Sequence, residues 1–176
     1  MLANLDSYLC KVNNRRKPIC FMHTMVDFNS KTKEKAYSRL RRIIRNQLLG
    51  NKSVFECSKV IINEHVMKSH YVLFVIFLEE QFIGYYDSYN TGPDLDKFDY
   101  SSVVNWLEYE WGLEQGKIPF DRSCWKFGRV QVVKQGNDVD CAFHAIRNAL
   151  LLQMDLPMQL YQVVPTAFIL YFNRFA

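Results

Sequence analysis

Long apolar runs are missing from this sequence of 176 residues. The longest wholly apolar run extends from Tyr71 to Leu78, whereas a helix that crosses a bilayer needs about 20 residues. We therefore expect no membrane-spanning segment. Residues 1–17 are polar and basic and lack the apolar stretch of a secretory signal peptide. We expect a protein of the cytoplasm or nucleus, in a host cell if the protein is of viral or effector origin.

Glycine and proline are also scarce, with seven and five residues, and they form no linker that would divide the chain. Internal repeats and low-complexity segments are absent as well. Hydrophobic residues make up 49% of the sequence and aromatic residues 15%, which excludes a disordered chain and favours a densely packed interior. We predict a single domain over residues 1–176.

The five cysteines are an odd number and include no C-x-x-C pair, so they indicate reduced thiols and not a disulfide framework. Cys141 and His144 form one C-x-x-H, but no second pair has the spacing of a zinc site. A glycine-rich phosphate loop is missing too. We expect neither a metal nor a cofactor.

Positive charge is unevenly distributed along the chain. Residues 1–52 contain twelve Lys and Arg against three Asp and Glu, and the remainder contains ten against fifteen. A basic segment of this kind can bind nucleic acid or an acidic partner. A solvated helix face is the more common explanation of such a run, and we therefore expect no nucleic-acid partner.

The distribution of apolar residues predicts an α+β domain, with helices flanking a central mixed or antiparallel sheet. The segment from Cys141 to Gln153 is too continuously apolar for a surface helix, so we expect it to be central. Segments rich in β-branched and aromatic residues indicate the strands. Helices are predicted over 33–49, 101–111, 141–153 and 158–175, and strands over 54–62, 71–78, 81–89 and 129–133.

His70 and Asp87 stand at the far ends of two predicted strands that form a hairpin turning at about residues 79–80. Opposed residues of an antiparallel pair have a constant sum of numbers, so a loop of even length places these two side chains on one face. A three-residue loop would place them on opposite faces. On one face, Asp87 can accept a hydrogen bond from one imidazole nitrogen and leave the other as a base. His65 is the rival base, but it lacks the in-phase relation to Asp87.

Cys141 follows a polar turn and begins the apolar helix, where the helix dipole and unpaired N–H groups stabilise a thiolate. Asp140 opposes this effect unless its carboxylate turns away to cap the helix. Gln135 lies six residues before Cys141, and its amide can donate to a developing oxyanion. Each residue also has an ordinary structural explanation, since a cysteine on a buried helix is commonly a small core residue. Residue types and spacing alone leave both explanations open.

Two motifs together resemble the Ulp/SENP family of SUMO-directed cysteine proteases. The first extends from His70 through an apolar strand to Tyr86-Asp87-Ser88, and the family has a histidine, an apolar strand and a Tyr-Asp-Ser segment in this order. The second extends from Gln135 through a polar turn to Asp140-Cys141-Ala142, where the family has Gln, a polar turn and Asp-Cys-Gly. The resemblance implies a papain-like cysteine protease fold. The implied roles are nucleophile for Cys141, base and then acid for His70, orienting acid for Asp87 and oxyanion donor for Gln135.

The resemblance also implies a substrate and a partner. Tyr71 replaces the tryptophan after the family's histidine and is implied to cover the glycine tail of the substrate. Ala142 replaces the glycine after the family's nucleophile, and its methyl group is implied to narrow the oxyanion region beside that tail. The implied substrate is a peptide or isopeptide bond after the Gly-Gly end of a ubiquitin-like protein, namely SUMO, ubiquitin or Nedd8, or its conjugates. A monomer is the implied state.

Three other functions stay open at this point. A YopJ-type acetyltransferase uses a similar His–acid–Cys arrangement and would require acetyl-CoA. A maturation protease of a virus or mobile element would have the same fold. A non-catalytic binder would keep the fold and hold a ubiquitin-like protein, although such a binder has no need for both Gln135 and Asp87.

Overall fold

The computed structural model describes residues 17–23, 33–47, 53–66, 70–89, 100–115 and 118–159; the helix predicted over 158–175 lies largely outside these ranges. The described backbone forms a five-stranded mixed sheet with three α-helices, which confirms the α+β prediction. The strands are β1 (Ile19–His23), β2 (Lys59–Val66), β3 (His70–Phe77), β4 (Phe82–Tyr86) and β5 (Lys126–Val130), and the helices are α1 (Lys33–Gln47), α2 (Ser101–Gln115) and α3 (Cys141–Gln153).

Strand order in the sheet follows chain order. β2, β3 and β4 pair antiparallel, while β1 and β5 join the two edges in parallel with β2 and β4. Parallel neighbours require a crossover connection, and α1 and α2 lie in the β1–β2 and β4–β5 connections. β3 occupies the centre of the sheet, and its residues from Val72 to Ile76 are all buried, as in a strand covered on both faces.

Helices cover both faces of the sheet. On one face, Phe74 of β3 belongs to the buried cluster that contains Leu40 of α1 and Trp106 of α2. On the other face, Val75 of β3 belongs to the buried cluster that contains Ala149 of α3. The alternation of side chains along a strand lets β3 contribute to both clusters. None of the helices in the described ranges combines the length and hydropathy that a bilayer crossing requires.

Two strand predictions are wrong in position. Over residues 54–62, the first part is a short 3₁₀ helix, Val54–Glu56, which Ser53 caps, and the strand begins only at Lys59. The strand predicted over 129–133 is displaced by three residues from β5. β1 was not predicted at all, so the sheet has one more edge strand than the sequence indicated.

Candidate active site

The β3–β4 hairpin brings His70 and Asp87 together. Phe77 pairs with Phe82, so the loop between them has four residues, and this even length keeps His70 and Asp87 in phase. The imidazole Nε2 of His70 lies 2.7 Å from Oδ1 of Asp87. An ionised carboxylate only accepts hydrogen bonds, so Nε2 donates and the neutral ring carries its lone pair on Nδ1. The pair therefore has the geometry of a base and its orienting acid.

The carboxylate of Asp87 is almost fully buried, at 1% exposure, and it has polar neighbours on both oxygens. Oδ1 also accepts a hydrogen bond from the backbone N–H of Tyr89 at 2.8 Å. Nη2 of Arg129 lies 3.9 Å from Oδ2, and the Arg129 guanidinium lies 5.6 Å from the ring centre of Tyr85. Burial, with a further contribution from the Asp87 charge, raises the pKa of the Tyr85 phenol, so that hydroxyl stays protonated. These contacts hold a buried negative charge beside His70.

Cys141 is the first residue of α3, as predicted, and is 4% exposed. Asp140 occupies the cap position but makes no side-chain hydrogen bond to the helix. Its carboxylate instead accepts a hydrogen bond from Nδ2 of Asn137 at 2.7 Å. The first N–H groups of α3 retain the positive potential that favours an anion at a helix start. The adjacent Asp140 opposes this effect, because its carboxylate does not cap the helix.

Gln135 is held by the chain segment that follows β4. The hydroxyl of Ser88 donates to Oε1 of Gln135 at 2.6 Å, and the backbone N–H of Gln135 donates to the Ser88 carbonyl at 2.9 Å. Because Oε1 accepts from a hydroxyl, the other end of the amide is its NH₂ group. That Nε2 donates to the carbonyl of Asn137 at 2.6 Å, within the turn that leads to Cys141. The NH₂ group therefore faces the nucleophile's turn, and it has a second N–H besides the one that binds Asn137.

The two residues implied to contact substrate lie on different elements. Tyr71 neighbours His70 on β3, but its ring packs against the α3-side cluster and lies 4.6 Å from the His65 ring. His65 is opposite Tyr71 in the sheet and is exposed. Ala142 is the second residue of α3 and is half-buried. Their contact with a glycine tail stays a prediction.

His144 lies one turn beyond Cys141 on α3. Its Nδ1 is buried and has no hydrogen-bond partner among the described residues. Burial lowers the pKa of His144, the positive charge of Arg147 lowers it further, and the negative charge of Asp140 acts in the opposite direction. The neutral imidazole is therefore favoured in the folded protein.

Several contacts of the site were not predicted from the sequence. Nζ of Lys134 donates to the backbone carbonyl of Asp87 at 3.1 Å, and the hydroxyl of Tyr89 donates to Oδ1 of Asp138 at 2.6 Å. In each of these two hydrogen bonds, the donor and acceptor residues are 47 or more positions apart in the sequence, so no local spacing predicts the contact. The sequence indicated Ser88 only as a member of the Tyr-Asp-Ser motif and gave it no contact with Gln135. Across the described ranges, no group of three His, Cys, Asp or Glu side chains could hold a metal ion.

Comparison with known families gives one match over most of the chain. The model of the Ulp1 protease family, C-terminal catalytic domain, matches residues 5–170. No curated protein sequence matches the chain.

Solved structures share the fold at low sequence identity. A SUMO protease Ulp1 with its catalytic cysteine oxidised to a sulfonic acid is 21% identical, with a TM-score of 0.58, and the match covers 81% of this chain and 62% of that one. The Ulp1 protease domain in complex with Smt3, the yeast ortholog of SUMO, is 18% identical, with a TM-score of 0.57 and coverage of 88% and 66%. The Ulp1-like SUMO protease catalytic domain of Chaetomium thermophilum is 17% identical, with a TM-score of 0.63 and coverage of 89% and 60%. This chain thus spans 60–66% of the length of these three structures.

Proposed function

Because this chain belongs to the Ulp1 protease family, a family of cysteine proteases, we propose that it hydrolyses a peptide or isopeptide bond at the Gly-Gly end of a ubiquitin-like protein. The observation that carries the proposal is the 2.7 Å hydrogen bond between His70 and the buried Asp87. A buried carboxylate that orients an imidazole is the feature that a thiol peptidase needs and that a core histidine does not. The start of α3 supplies the nucleophile, Cys141.

The proposed reaction has two halves. His70 Nδ1 takes the proton of the Cys141 thiol, and Sγ attacks the glycine carbonyl carbon to form a C–S bond. The same nitrogen then delivers the proton to the departing amine as the C–N bond breaks. In the second half, His70 deprotonates a water that hydrolyses the thioester, and the proton returns to Cys141. Asp87 stabilises the imidazolium in both halves.

Gln135 supports the oxyanion in this scheme. Its Oε1 stays with Ser88, one N–H of Nε2 stays with the Asn137 carbonyl, and the other N–H donates to the carbonyl oxygen of the substrate. A donor of this kind typically contributes a factor of about 10²–10³ in rate. A hydrogen bond to an oxyanion is stronger than one to a neutral carbonyl, so the gain is largest when negative charge develops on the substrate oxygen.

SUMO is the first substrate to test. Of the three solved structures that share this fold at TM-scores of 0.57–0.63, two are named as SUMO proteases and the third is a Ulp1 protease domain in complex with the yeast ortholog of SUMO. Ubiquitin and Nedd8 are the next candidates. Membership of a protease family favours peptide hydrolysis over acetyl transfer.

The experiment that tests the proposal measures release of a fluorescent amine from the C terminus of SUMO, ubiquitin and Nedd8. We expect hydrolysis of at least one of them, and we expect its loss in Cys141→Ala and His70→Ala. His65→Ala is the matched control, because His65 is exposed and is not among the hydrogen-bond partners of Asp87, and it should keep the wild-type rate. Hydrolysis that requires His65 and not His70 would contradict the assignment of the base.

A further inference from the structure

Tyr89 contacts both residues of the His70–Asp87 pair and also the turn that precedes Cys141. Its backbone N–H donates to Oδ1 of Asp87 at 2.8 Å, the oxygen that also accepts from His70. Its ring centre lies 5.7 Å from that of His70, in a tilted arrangement. Its hydroxyl donates to Oδ1 of Asp138 at 2.6 Å. One side chain thereby connects the end of β4 with the turn three residues before Cys141.

The Tyr89–Asp138 contact has the geometry of a strong hydrogen bond. A separation of 2.6 Å is in the range of charge-assisted O–H···O⁻ bonds, which are stronger than neutral ones. Asp138 is exposed and Tyr89 is half-buried, so the bond lies at the surface beside His70. Two neighbouring hydrogen bonds join the same two segments of the chain. The Ser88 hydroxyl donates to Gln135, and Lys134 donates to the Asp87 carbonyl.

We propose that Tyr89 and Asp138 are positioning residues that fix the turn preceding Cys141 against the His70–Asp87 pair. The inference rests on the proposed function, since it concerns the same site. The backbone N–H of Tyr89 binds Asp87, its ring packs on His70, and its hydroxyl binds Asp138. Rotation of the Tyr89 side chain would therefore release the His70 ring and the Asp138 turn together. Neither residue touches the reacting atoms, and each acts through the residues that it holds.

Loss of this bond should affect the chemical step more than substrate binding. Catalytic rates fall steeply when a base and a nucleophile lose their mutual geometry. We expect Tyr89→Phe, which removes only the hydroxyl, to lower kcat about tenfold and to change KM less than about twofold. Asp138→Ala should have the same effect, because it removes the acceptor.

A double mutant and a conservative variant identify the bond itself. Tyr89→Phe combined with Asp138→Ala should be no worse than either single variant, because both remove one interaction. Asp138→Asn should recover part of the lost rate, since the amide oxygen can still accept from the phenol. Tyr100→Phe is the matched control: Tyr100 is an exposed tyrosine stacked on Phe127, and its variant should keep the wild-type kcat.

A measurement without substrate separates this inference from the proposed function. The rate of Cys141 alkylation by iodoacetamide, followed by mass spectrometry of the Cys141 peptide, reports how well His70 supports the thiolate. We expect Tyr89→Phe and Asp138→Ala to slow alkylation about fivefold and Tyr100→Phe to leave it unchanged. If wild-type protein cleaves no ubiquitin-like substrate but these variants still slow alkylation, the proposed function fails and the positioning role stands. If hydrolysis and alkylation are both unchanged in folded Asp138→Ala, the positioning role is wrong.

Discussion

At the scale of single residues, the neighbours of Asp87 reduce the free-energy cost of burying its carboxylate. An unpaired carboxylate in a protein interior costs several kcal/mol, so a side chain at 1% exposure needs partners. Oδ1 accepts from His70 and from the Tyr89 backbone, and the guanidinium of Arg129 lies 3.9 Å from Oδ2. The same partners fix the direction of the carboxylate, so stability and orientation of His70 have one cause.

Replacing Asp87 with asparagine should therefore impair the chemistry while preserving the fold. The neutral amide cannot stabilise an imidazolium, and its NH₂ group can turn toward His70 and favour the wrong tautomer. We expect kcat for hydrolysis of the preferred substrate to fall by about 10²–10⁴. Asp121→Asn, at an exposed position, is the control. Retention of more than about a tenth of wild-type kcat in Asp87→Asn would argue against an orienting role.

Ser88 gives a second prediction at this scale, because its hydroxyl holds Oε1 of Gln135 at 2.6 Å. Ser88→Ala should lower kcat, but by less than the factor of about 10²–10³ expected for Gln135→Ala, because the backbone bond between the two residues remains. Ser123→Ala is a matched control, since the Ser123 hydroxyl donates at the same 2.6 Å to Asp121 on the surface. Equal effects of Ser88→Ala and Ser123→Ala on kcat would contradict the role of Ser88 in holding Gln135.

At the scale of secondary-structure elements, helices and strands could be predicted where the pattern of apolar residues was long and regular. The apolar strand β3 and the helix that begins at Cys141 are confirmed, because each has an unambiguous pattern. The prediction over 54–62 is wrong because of local capping. Ser53 accepts from the N–H of Phe55, Glu56 accepts from the N–H of Ser53, and this capping box turns the chain before the strand begins.

Two glycines allow a test of how tightly the elements pack around β4. A Cβ at Gly84 would lie 2.9 Å from Cε2 of Tyr86, 3.1 Å from Cγ2 of Val130 and 3.3 Å from Cε1 of Phe82. We expect Gly84→Ala to lower the free energy of unfolding by about 1–3 kcal/mol, because the crowded neighbours must shift. At Gly112, inside α2, an added Cβ meets no atom within 4 Å.

The same substitution should have the opposite sign at Gly112. Alanine in a helix interior is favoured over glycine, so Gly112→Ala should raise the free energy of unfolding by about 0.5–1 kcal/mol. Urea denaturation of both variants measures the difference. A destabilised Gly112→Ala or a neutral Gly84→Ala would show that the packing around β4 and α2 differs from this description.

At the scale of the whole molecule, the sheet carries a separate core on each face, and the site residues come from two separate stretches of the sequence, 70–89 and 134–141. The in-phase relation of His70 and Asp87 followed from strand periodicity, because a hairpin is a local structure. The Tyr89–Asp138 and Ser88–Gln135 contacts could not be predicted, since they depend on how the chain after β5 returns to β4. The catalytic roles of these residues stay predictions until variants are measured.

Stability of the whole protein should fall at mildly acidic pH partly because of His144. Its pKa lies below the ordinary 6.5 in the folded state, so the unfolded chain takes up a proton more readily. Below about pH 6.5, protonation of the unfolded state therefore reduces the free energy of unfolding, and the loss grows until the folded His144 also protonates. The neighbouring charges that act on it are Arg147 and Asp140.

Urea denaturation at pH 7.5 and pH 5.5 checks this prediction. His144→Gln should lose less stability between the two pH values than the wild type, because glutamine does not titrate. A His144→Gln protein with an unchanged pH dependence would show that His144 titrates alike in both states.

The most direct test of the central claim is covalent capture of Cys141. SUMO, ubiquitin and Nedd8 carrying an electrophile in place of the C-terminal glycine carboxylate would be incubated with wild-type protein, Cys141→Ala and Cys124→Ala. Cys124 is an exposed cysteine whose thiol hydrogen-bonds to Asp121, so its variant controls for non-specific thiol reaction. We predict an adduct with at least one probe, mapped to Cys141, absent in Cys141→Ala and retained in Cys124→Ala. No adduct with any probe, or an adduct that survives in Cys141→Ala, would contradict the account.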